Sequence, residues 1–366
     1  MCSCGNTQNE IADKKDIQDK LVPDKLMEES NLDIEGRHYE WIRYCLEDDG
    51  IRIIGLRTKE DVLYIPTSIQ GYPVTRIGGT SKEIVKDNFY VENKINAAAG
   101  DFHIWNTDRD QQLKKIVIPE GVREIVNEGM ANVGAEELIL PESLVLVDER
   151  TFIGSNISKV LVKGCKTELY PWSFTKTCLK EIIFSENFQG RLCSDCFSET
   201  PMETFYCPSG VSEIGFFYQC KNLKEIVFSE KQREIIIPQG AFTGCPSLKK
   251  LTIPANVRTV RIMPNLYADD TKGNGVPTLV FKGKSTELVC EDSSTGKKIT
   301  GYIPAGKIVA PKGSRAIRAA KRSKKIASFT ERGKELIAEG EFINDHPDFY
   351  ERKDLVHLVP MEYEET

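Results

Sequence analysis

Side chains able to perform catalysis or bind metal are few in this chain and scattered along it. Four histidines occur, His38, His103, His346 and His357, and no two have the spacing of metal ligands. Zinc sites usually combine Cys and His in short paired spacings, so we predict no metal site and no cofactor. The chain also lacks a nucleophile-elbow motif, a phosphate-binding glycine loop and a kinase signature. We therefore predict no catalytic residue and a protein that is not an enzyme.

One cysteine pair has a spacing typical of redox sites. Cys193 and Cys196 form a CxxC motif, and redox activity would require an exposed thiol of low pKa at the start of a helix. Cys196 instead occupies a small-residue position before Phe197 that recurs along the chain. We therefore interpret the pair as packed in the interior, and a redox enzyme is the remote alternative.

The remaining cysteines also favour packing over chemistry. Eleven cysteines are present, an odd number that cannot pair completely within one chain. Cys178, Cys220 and Cys245 each end a sequence unit just before the next apolar segment, where a small, easily buried thiol suits a crowded turn. We expect mostly free, buried thiols, and one or more disulfides are the alternative.

A repeat of about 22 residues positions these side chains. The apolar segment 113–119 recurs with start-to-start spacings of 22, 22, 22, 23, 21 and 25 residues. A period in this range is typical of a solenoid, in which each unit buries its apolar side against its neighbours. The units start at Leu113, Ala135, Ile157, Leu179, Met202, Leu223 and Leu248.

Within each unit, alternating apolar residues predict a short strand, and a second apolar cluster follows after a turn. Stacking of the units should place equivalent side chains above one another, so two buried columns are expected. One column is Ile116, Leu138, Val160, Ile182, Phe205, Ile226 and Leu251. The other is Met130, Phe152, Phe174, Phe197, Phe217 and Phe242.

The unit resembles the BspA-type leucine-rich repeat, whose pattern is LxxIxIPxxVxxIGxxAFxxC. Residues 240–254 match this pattern closely, and residues 39–79 are similar to the hairpin and first unit that open such arrays. The resemblance covers roughly residues 39–311. It implies an α+β, β-rich solenoid: a right-handed leucine-rich-repeat superhelix with short parallel strands, an N-terminal hairpin entry and a C-terminal helical cap. Members of the family are mostly secreted or surface-anchored bacterial proteins implicated in adhesion.

We expect three segments along the chain: an acidic, flexible N-terminal segment at 1–35, the solenoid at 36–311, and a basic helix with an acidic tail at 312–366. An insertion at 80–112 interrupts the solenoid, as an enlarged loop or as a binding loop. Helix-favouring residues at 314–340 predict a helix that caps the last core layer.

The N-terminus leaves two interpretations of the location open. It has neither the basic region nor the apolar region of a signal peptide, which favours a cytoplasmic protein, whereas the family resemblance favours the cell surface. Cys2 followed by a polar, acidic tether would suit a lipid-anchored lipoprotein. This lipid anchor is the only membrane contact that we predict.

One residue at each strand end should point outward, between two inward ones. Six of these seven residues are apolar or aromatic, and strands about 4.8 Å apart would align them in a stripe about 30 Å long. The predicted binding residues are Val117, Ile139, Leu161, Ile183, Tyr206, Val227 and Thr252. Charged residues flank the stripe at Lys115, Glu137, Lys159, Glu181, Glu225 and Lys250. The alternatives are self-coverage, self-association or simple strand preference.

We hypothesise a non-enzymatic interaction or adhesion module that binds a protein, for example a host or extracellular protein, or a glycan, along this stripe or at the insertion. The alternative is a cytoplasmic scaffold or regulator whose partner contacts the same stripe or the basic 312–340 segment. Seven basic residues fall within 312–325, but no aromatic residue lies among them to stack on bases. With a formal net charge of −6, we expect no nucleic-acid partner.

Overall fold

The computed structural model describes residues 27–78, 113–126, 129–238, 240–263, 278–292, 295–339 and 351–366. The predicted insertion at 80–112 and the predicted lipid anchor at Cys2 lie outside these ranges. No helix within the described ranges is long and apolar enough to cross a membrane.

The described chain begins with an antiparallel three-stranded meander. It consists of β1 (Met27–Ile34), β2 (Arg37–Glu47) and β3 (Gly50–Arg57). Strand β3 then pairs in parallel with β6 (Tyr72–Gly78), so the meander leads directly into the solenoid, as the predicted hairpin entry requires. Strand β1 lies in the segment expected to be flexible, and its pairing with β2 extends ordered structure into that segment.

Each repeat contributes a short parallel strand to one side of the solenoid, which we call the strand face. Buried and unburied residues alternate along these strands, as the alternating apolar residues of the sequence predict. The strands are β4 (Val62–Tyr64), β7 (Leu113–Val117), β9 (Ala135–Leu140), β11 (Lys159–Val162), β13 (Glu181–Phe184), β14 (Thr204–Cys207), β15 (Glu225–Phe228), β17 (Lys250–Ile253), β19 (Thr278–Phe281) and β22 (Ile308–Ala310).

A second row of parallel strands, which we call the second sheet, forms another side of the solenoid. The sequence pattern indicates these residues only as an apolar cluster, since the strands of the first units are two or three residues long and too short for a clear alternation. The pairing comes from stacking between units, as in Val147, which lies in register with Ile125 and Leu169. Its strands after β6 are β8 (Glu124–Val126), β10 (Leu146–Val147) and β12 (Glu168–Leu169), followed after a break in pairing by β16 (Glu234–Ile237), β18 (Thr259–Ile262) and β20 (Glu287–Glu291). The short strands β5 (Ser68–Ile69) and β21 (Lys298–Ile299) pair antiparallel to β6 and β20.

Both predicted core columns are confirmed, because every residue in them is buried. The aromatic column is continuous: the Phe152 and Phe174 rings stack with centroids 5.0 Å apart, and Phe174 lies 6.2 Å from Phe197. Further along, Phe205, Phe216 and Phe217 join the cluster at 5.1–5.9 Å. Burial of aromatic side chains of this size is a leading source of stability.

In the described repeats, the buried aromatic side chain is followed by a tight turn and not by a helix. The residue two positions after the buried aromatic has positive φ, as at Lys176 (57°), Glu199 (57°) and Gly244 (74°). Glycine adopts this conformation freely, whereas other residues incur strain. The repeat therefore keeps the turn even where glycine is replaced by a charged side chain.

The C-terminal region caps the solenoid, though not as one helix. Helix α1 (Arg315–Ala320) has Ser314 as its N-cap and buries Ala316, Ile317 and Ala320 against the main core. The predicted continuous helix at 314–340 is wrong beyond this point. Residues Lys324–Phe329 form β23, which pairs antiparallel with β24 (Val356–Pro360), and α2 (Glu331–Ala338) follows β23.

Residues Lys324–Phe329 form a strand and not a helix because the strand buries side chains in a small second core. Phe329 on β23 packs with Leu336, Leu355 and Val356 in a cluster separate from the solenoid core. Burial of these side chains outweighs the helix propensity of the surrounding Ala, Lys and Glu, which is weak per residue. The final strand β25 (Tyr363–Glu365) then pairs in parallel with β22, so the predicted acidic tail adds the last strand to the strand face.

A buried tyrosine joins the entry meander to the strand face. The Tyr39 hydroxyl donates a hydrogen bond to the Tyr64 carbonyl oxygen at 2.8 Å, and the side chain is 1% exposed. Removal from water favours the neutral phenol, so burial raises the pKa of Tyr39 from its ordinary 10 to about 12.

This shift predicts a loss of stability in alkali. Above pH 10 the unfolded chain releases this proton while the folded chain retains it, so stability falls as pH rises from about 10 to about 12. We expect the wild type to lose about 2 kcal/mol more than Tyr39→Phe across this window. Urea unfolding at fixed pH values measures the difference, and equal pH slopes for the two proteins would contradict it.

Candidate functional site

The strand face presents a continuous row of unburied apolar side chains. Val117, Ile139, Leu161 and Ile183 are in direct register across β7, β9, β11 and β13. None of the seven predicted stripe residues is buried, and the most exposed are Ile183 at 40% and Tyr206 at 65%. The predicted outward orientation of Val117, Ile139, Leu161, Ile183, Tyr206, Val227 and Thr252 is therefore present in the structure.

The row is longer than the sequence analysis indicated. Tyr64 on β4 is in register with Val117, and Val280 and Val309 continue the row beyond Thr252. The segment at 63–66 has the same Leu-x-Ile-Pro pattern as the later units, so this pattern could have identified Tyr64. Val280 and Val309 lie in units where the repeat pattern decays, and their alignment follows only from strand pairing.

Strand pairing is interrupted at the most exposed part of the row. The sheet β4 to β13 ends at β13, β14 pairs only with β15, and β17 begins a third sheet. Large aromatic side chains pack at the first break, where the Phe184 and Phe205 rings lie 6.2 Å apart. A depression of about 440 Å³ lies there, lined in part by Ile183, Phe184, Tyr206 and Pro208. The break therefore turns the flat stripe into a shallow apolar recess.

A row of alternating charges runs beside the stripe. Lys115, Glu137, Lys159 and Glu181 are in register on consecutive strands. The Lys115 ammonium lies 3.9 Å from the Glu137 carboxylate, and Lys159 lies 3.4 Å from Glu181. These side chains are 33–54% exposed. Such exposed ion pairs contribute little to stability, so the charges remain available to a partner.

The CxxC pair lacks the properties of a redox site. Cys196 is fully buried, and desolvation raises the pKa of its thiol well above the ordinary value. Burial also raises the pKa of Cys193. Reactive cysteines need a lowered pKa and access to solvent, so both thiols are poor nucleophiles. The interpretation as interior packing agrees with the geometry of Cys196, whereas Cys193 is only partly buried.

The histidines do not assemble a site in the described part of the chain. His38 lies 3.0 Å from the Asp33 carboxylate at the surface of the meander, and His357 is exposed on β24. His103 and His346 lie outside the described residues. Within the described ranges no group of three His, Cys, Asp or Glu side chains could hold a metal ion.

The basic C-terminal segment is partly neutralised by the acidic tail. Lys321 lies 2.6 Å from Glu365, and Lys325 lies 2.7 Å from Glu362. The neighbouring Lys307 pairs with Glu364 at 2.5 Å. Local sequence patterns do not indicate these pairs, because the pairs depend on β25 joining β22. The charge that this segment offers to an outside partner is reduced accordingly.

Comparison with protein families assigns the repeats. The model of the BspA-type leucine-rich repeat region matches residues 108–216 and 193–265, with six copies. Residues 108–265 form a BspA-type leucine-rich repeat region. The family predicted from the sequence pattern is therefore confirmed, together with the solenoid of parallel strands that it implies. A comparison with curated proteins gives no match.

Solved structures of leucine-rich repeat proteins show distant likenesses. One is a leucine-rich cell surface protein from Faecalibacterium prausnitzii A2-165, with 17% identity, TM-score 0.36, and coverage of 79% of this chain and 71% of that one. Another is the pneumococcal vaccine antigen PcpA, with 14% identity, TM-score 0.34, and coverage of 81% and 95%. A third is a leucine-rich repeat protein from Eubacterium ventriosum, with 16% identity, TM-score 0.31, and 79% coverage of both chains.

The BspA-type pattern explains where two of the buried cysteines lie. Its AFxxC element places a thiol three residues after the buried aromatic, as in Cys220 and Cys245, which donate to the backbone carbonyls of Phe197 and Phe217 at 3.1 and 2.7 Å. Cys178 comes four residues after its aromatic and is exposed, so the predicted burial of Cys178 is wrong. Thr177 occupies the equivalent buried position. No disulfide joins any two of the nine described cysteines.

Proposed function

We propose that this protein is a non-enzymatic interaction module that binds a protein partner along the strand face. The supporting observation is the apolar row, which is in register from Tyr64 to Ile183 and continues beyond the strand break at Tyr206. Its exposure reaches 40% at Ile183 and 65% at Tyr206. Exposed apolar surface of this continuity is uncommon on a monomer and marks interaction sites. The solenoid provides a rigid, elongated support for such a surface.

The recess at the β13–β14 break is the proposed anchor region. Its apolar wall of Ile183, Phe184 and Pro208 suits an inserted aliphatic or aromatic side chain, and Tyr206 offers both a ring and a hydroxyl. Hot spots of protein interfaces are typically such pockets, surrounded by weaker contacts. The flanking charges of the strand face would orient the partner more than they would tighten its binding.

A cytoplasmic scaffold that uses the basic 312–340 segment is the less supported alternative. Lys321 and Lys325 already pair with the chain's own carboxylates. Adhesion at a cell surface would additionally require an anchor. The lipid anchor at Cys2 stays a prediction, since that residue lies outside the described part of the chain.

The double substitution Ile183→Ser/Tyr206→Ser tests the proposed face. Both side chains point outward, so the fold should persist while about 2–4 kcal/mol of binding free energy is lost. A matched control, Tyr218→Ser/Ile236→Ser, changes the same residue types away from the strand face, at a turn and on the second sheet. Circular dichroism and the unfolding midpoint verify that all three proteins are folded.

Binding is measured in two steps. Proteins from a cell extract that are retained by the wild type and the control, but not by the strand-face variant, are identified, purified and titrated calorimetrically. Equal affinity for the wild type and the strand-face variant would refute the proposed face. A parallel glycan array distinguishes the glycan alternative, which gains support if glycans, and no purified protein, bind in a manner that depends on Tyr206.

A further inference from the structure

The central part of the strand face has a pattern that reads almost the same in both directions. Across β4, β7, β9, β11, β13 and β14, aromatic residues stand at the two ends of the apolar row and aliphatic residues between them. The row is Tyr64, Val117, Ile139, Leu161, Ile183 and Tyr206. The side-chain sizes are therefore arranged symmetrically about a point between β9 and β11.

The adjacent row of charges is inverted in sign when it is read in the reverse direction. Its signs alternate from Lys115 to Glu137 to Lys159 to Glu181, and the flanking strands carry the uncharged Val62 and Thr204 at the same position. When an even number of alternating charges is reversed, every positive charge meets a negative one. A surface of this kind is complementary to itself under a two-fold rotation.

The charges select one orientation of two such surfaces. A two-fold axis parallel to the strands, between β9 and β11, places the stripe of one copy on the stripe of the other. It brings Lys115 opposite Glu181 and Glu137 opposite Lys159, and each contact occurs twice. An axis along the solenoid instead places each charge opposite itself or over the apolar row, which is unfavourable. The permitted arrangement is therefore an antiparallel, face-to-face pair.

We propose that a second copy of this chain binds the strand face in this antiparallel arrangement. The inference rests on the proposed interaction role of that face and names one of its partners. Ile139 and Leu161 would meet at the axis, and each Tyr64 would approach the partner's Tyr206. The exposed apolar row would thereby be covered, and the half-exposed charges would acquire partners in the second copy.

The size of the contact makes this association weak. The five paired strands β4 to β13, about 4.8 Å apart and about 16 Å long, cover roughly 380 Å² per copy, and β14 beyond the break adds about 80 Å². Stable complexes typically bury about 800 Å² per partner. The pair should therefore form in a concentration-dependent and salt-sensitive manner. Like charges meet at the margin, where Lys114 would approach Lys180 and Asp61 would approach Glu203. These charges are partly neutralised within each copy, because Lys114 pairs with Asp61 at 2.5 Å and Lys224 pairs with Glu203 at 2.7 Å.

Two charge reversals test the arrangement in the full chain. Lys115→Glu brings the new glutamate opposite Glu181 in both halves of a homodimer, and Glu181→Lys brings the new lysine opposite Lys115. Each variant alone should dimerise at least about tenfold more weakly than the wild type. An equimolar mixture of the two variants restores opposite charges at all four crossing positions, so its association should return to the wild-type level.

Sedimentation velocity over a concentration series, with one variant fluorescently labelled, measures the association of the wild type, of each variant alone and of the mixture. Lys250→Glu is the matched control, since it reverses a charge at the same strand position on β17, outside the six strands. This control should dimerise like the wild type. Leu161→Asp should abolish association of both the wild type and the mixture, because it places a charge at the axis.

Three results would overturn the inference. The wild type could stay monomeric at the highest soluble concentration, both single variants could dimerise like the wild type, or the mixture could fail to recover. None of these results affects the proposed function, which depends on the different loss caused by Ile183→Ser/Tyr206→Ser against a purified partner. Conversely, recovery of the mixture, together with equal affinity of the wild type and Ile183→Ser/Tyr206→Ser for the purified proteins, would support the second copy and refute a separate partner on this face.

Discussion

Phe174→Ala is expected to lower the free energy of unfolding by about 3–5 kcal/mol. Phe174 is fully buried, and it touches rings on both sides along the solenoid, Phe152 at 5.0 Å and Phe197 at 6.2 Å. The substitution removes the transfer free energy of the ring and leaves a cavity between neighbouring repeats that can collapse only partly.

The linear architecture adds a second expected effect. In a solenoid each repeat contacts only its neighbours, so the core is a chain of interfaces between consecutive units. A cavity at Phe174 weakens the interfaces on both of its sides. We expect the urea transition to broaden, or to split into one transition for each side, in addition to moving to lower denaturant.

Urea unfolding followed by circular dichroism and by tryptophan fluorescence measures both effects. Tyr206→Ala is the control, since it removes a large aromatic side chain that is 65% exposed, and it should change stability by no more than about 0.5 kcal/mol. Phe174→Leu should fall between the two. A cost below about 1 kcal/mol for Phe174→Ala would show that the aromatic column is not a main source of stability.

Arg76→Met is expected to cost about 2–4 kcal/mol, the second largest effect that we predict. The Arg76 guanidinium lies 2.8 Å from Glu47, 3.0 Å from Asp49 and 2.9 Å from Glu124. Arg76, on β6, therefore joins the β2–β3 hairpin to β8. Removal leaves Glu47, whose side chain is only 12% exposed, with less compensation for its charge.

The network limits the cost and suggests the control. Arg52 still contacts Glu47 and Arg123 still contacts Asp49, so the loss should be smaller than for an isolated buried pair. Lys114→Met removes an ion pair with Asp61 that is exposed on both sides, and it should be nearly neutral. Hydrogen exchange of the meander locates the effect: protection of β2 and β3 should fall in Arg76→Met and persist in Lys114→Met.

A uniform decrease in protection along the whole solenoid would contradict the local role of Arg76. Arg76→Lys should recover part of the stability, because a lysine keeps the charge but cannot maintain the several directed hydrogen bonds of a guanidinium. The wild type should therefore be the most stable of the three proteins, followed by Arg76→Lys and then by Arg76→Met.

Much of the candidate site could be predicted from local patterns. Ile116 and Ile118 alternate with Val117, so the inward and outward sides of β7 follow from the two-residue period of a strand. The 22-residue period then aligns Val117 with Ile139 and Leu161. The outward orientation of these side chains follows from strand geometry, and their alignment follows from the repeat. Both can therefore be predicted from the sequence.

Other features depend on contacts between residues far apart in the sequence. Lys324–Phe329 form a strand because Val356–Pro360 supply a pairing partner and a small core, against a helix-favouring composition. Glu365 neutralises Lys321 only because β25 adds to the edge of β22. Propensities and local charge counts contain no information on such pairings.

The sequence by itself thus determined the family, the strand of each repeat, the two buried columns and the outward row, since all follow from short periods that every unit repeats. Only the tertiary structure decided the second parallel sheet, the break between β13 and β14, and the pairing of charges across β7, β9, β11 and β13. These depend on how closely neighbouring units approach, and the packing of bulky side chains such as Phe184 and Phe205 sets that distance.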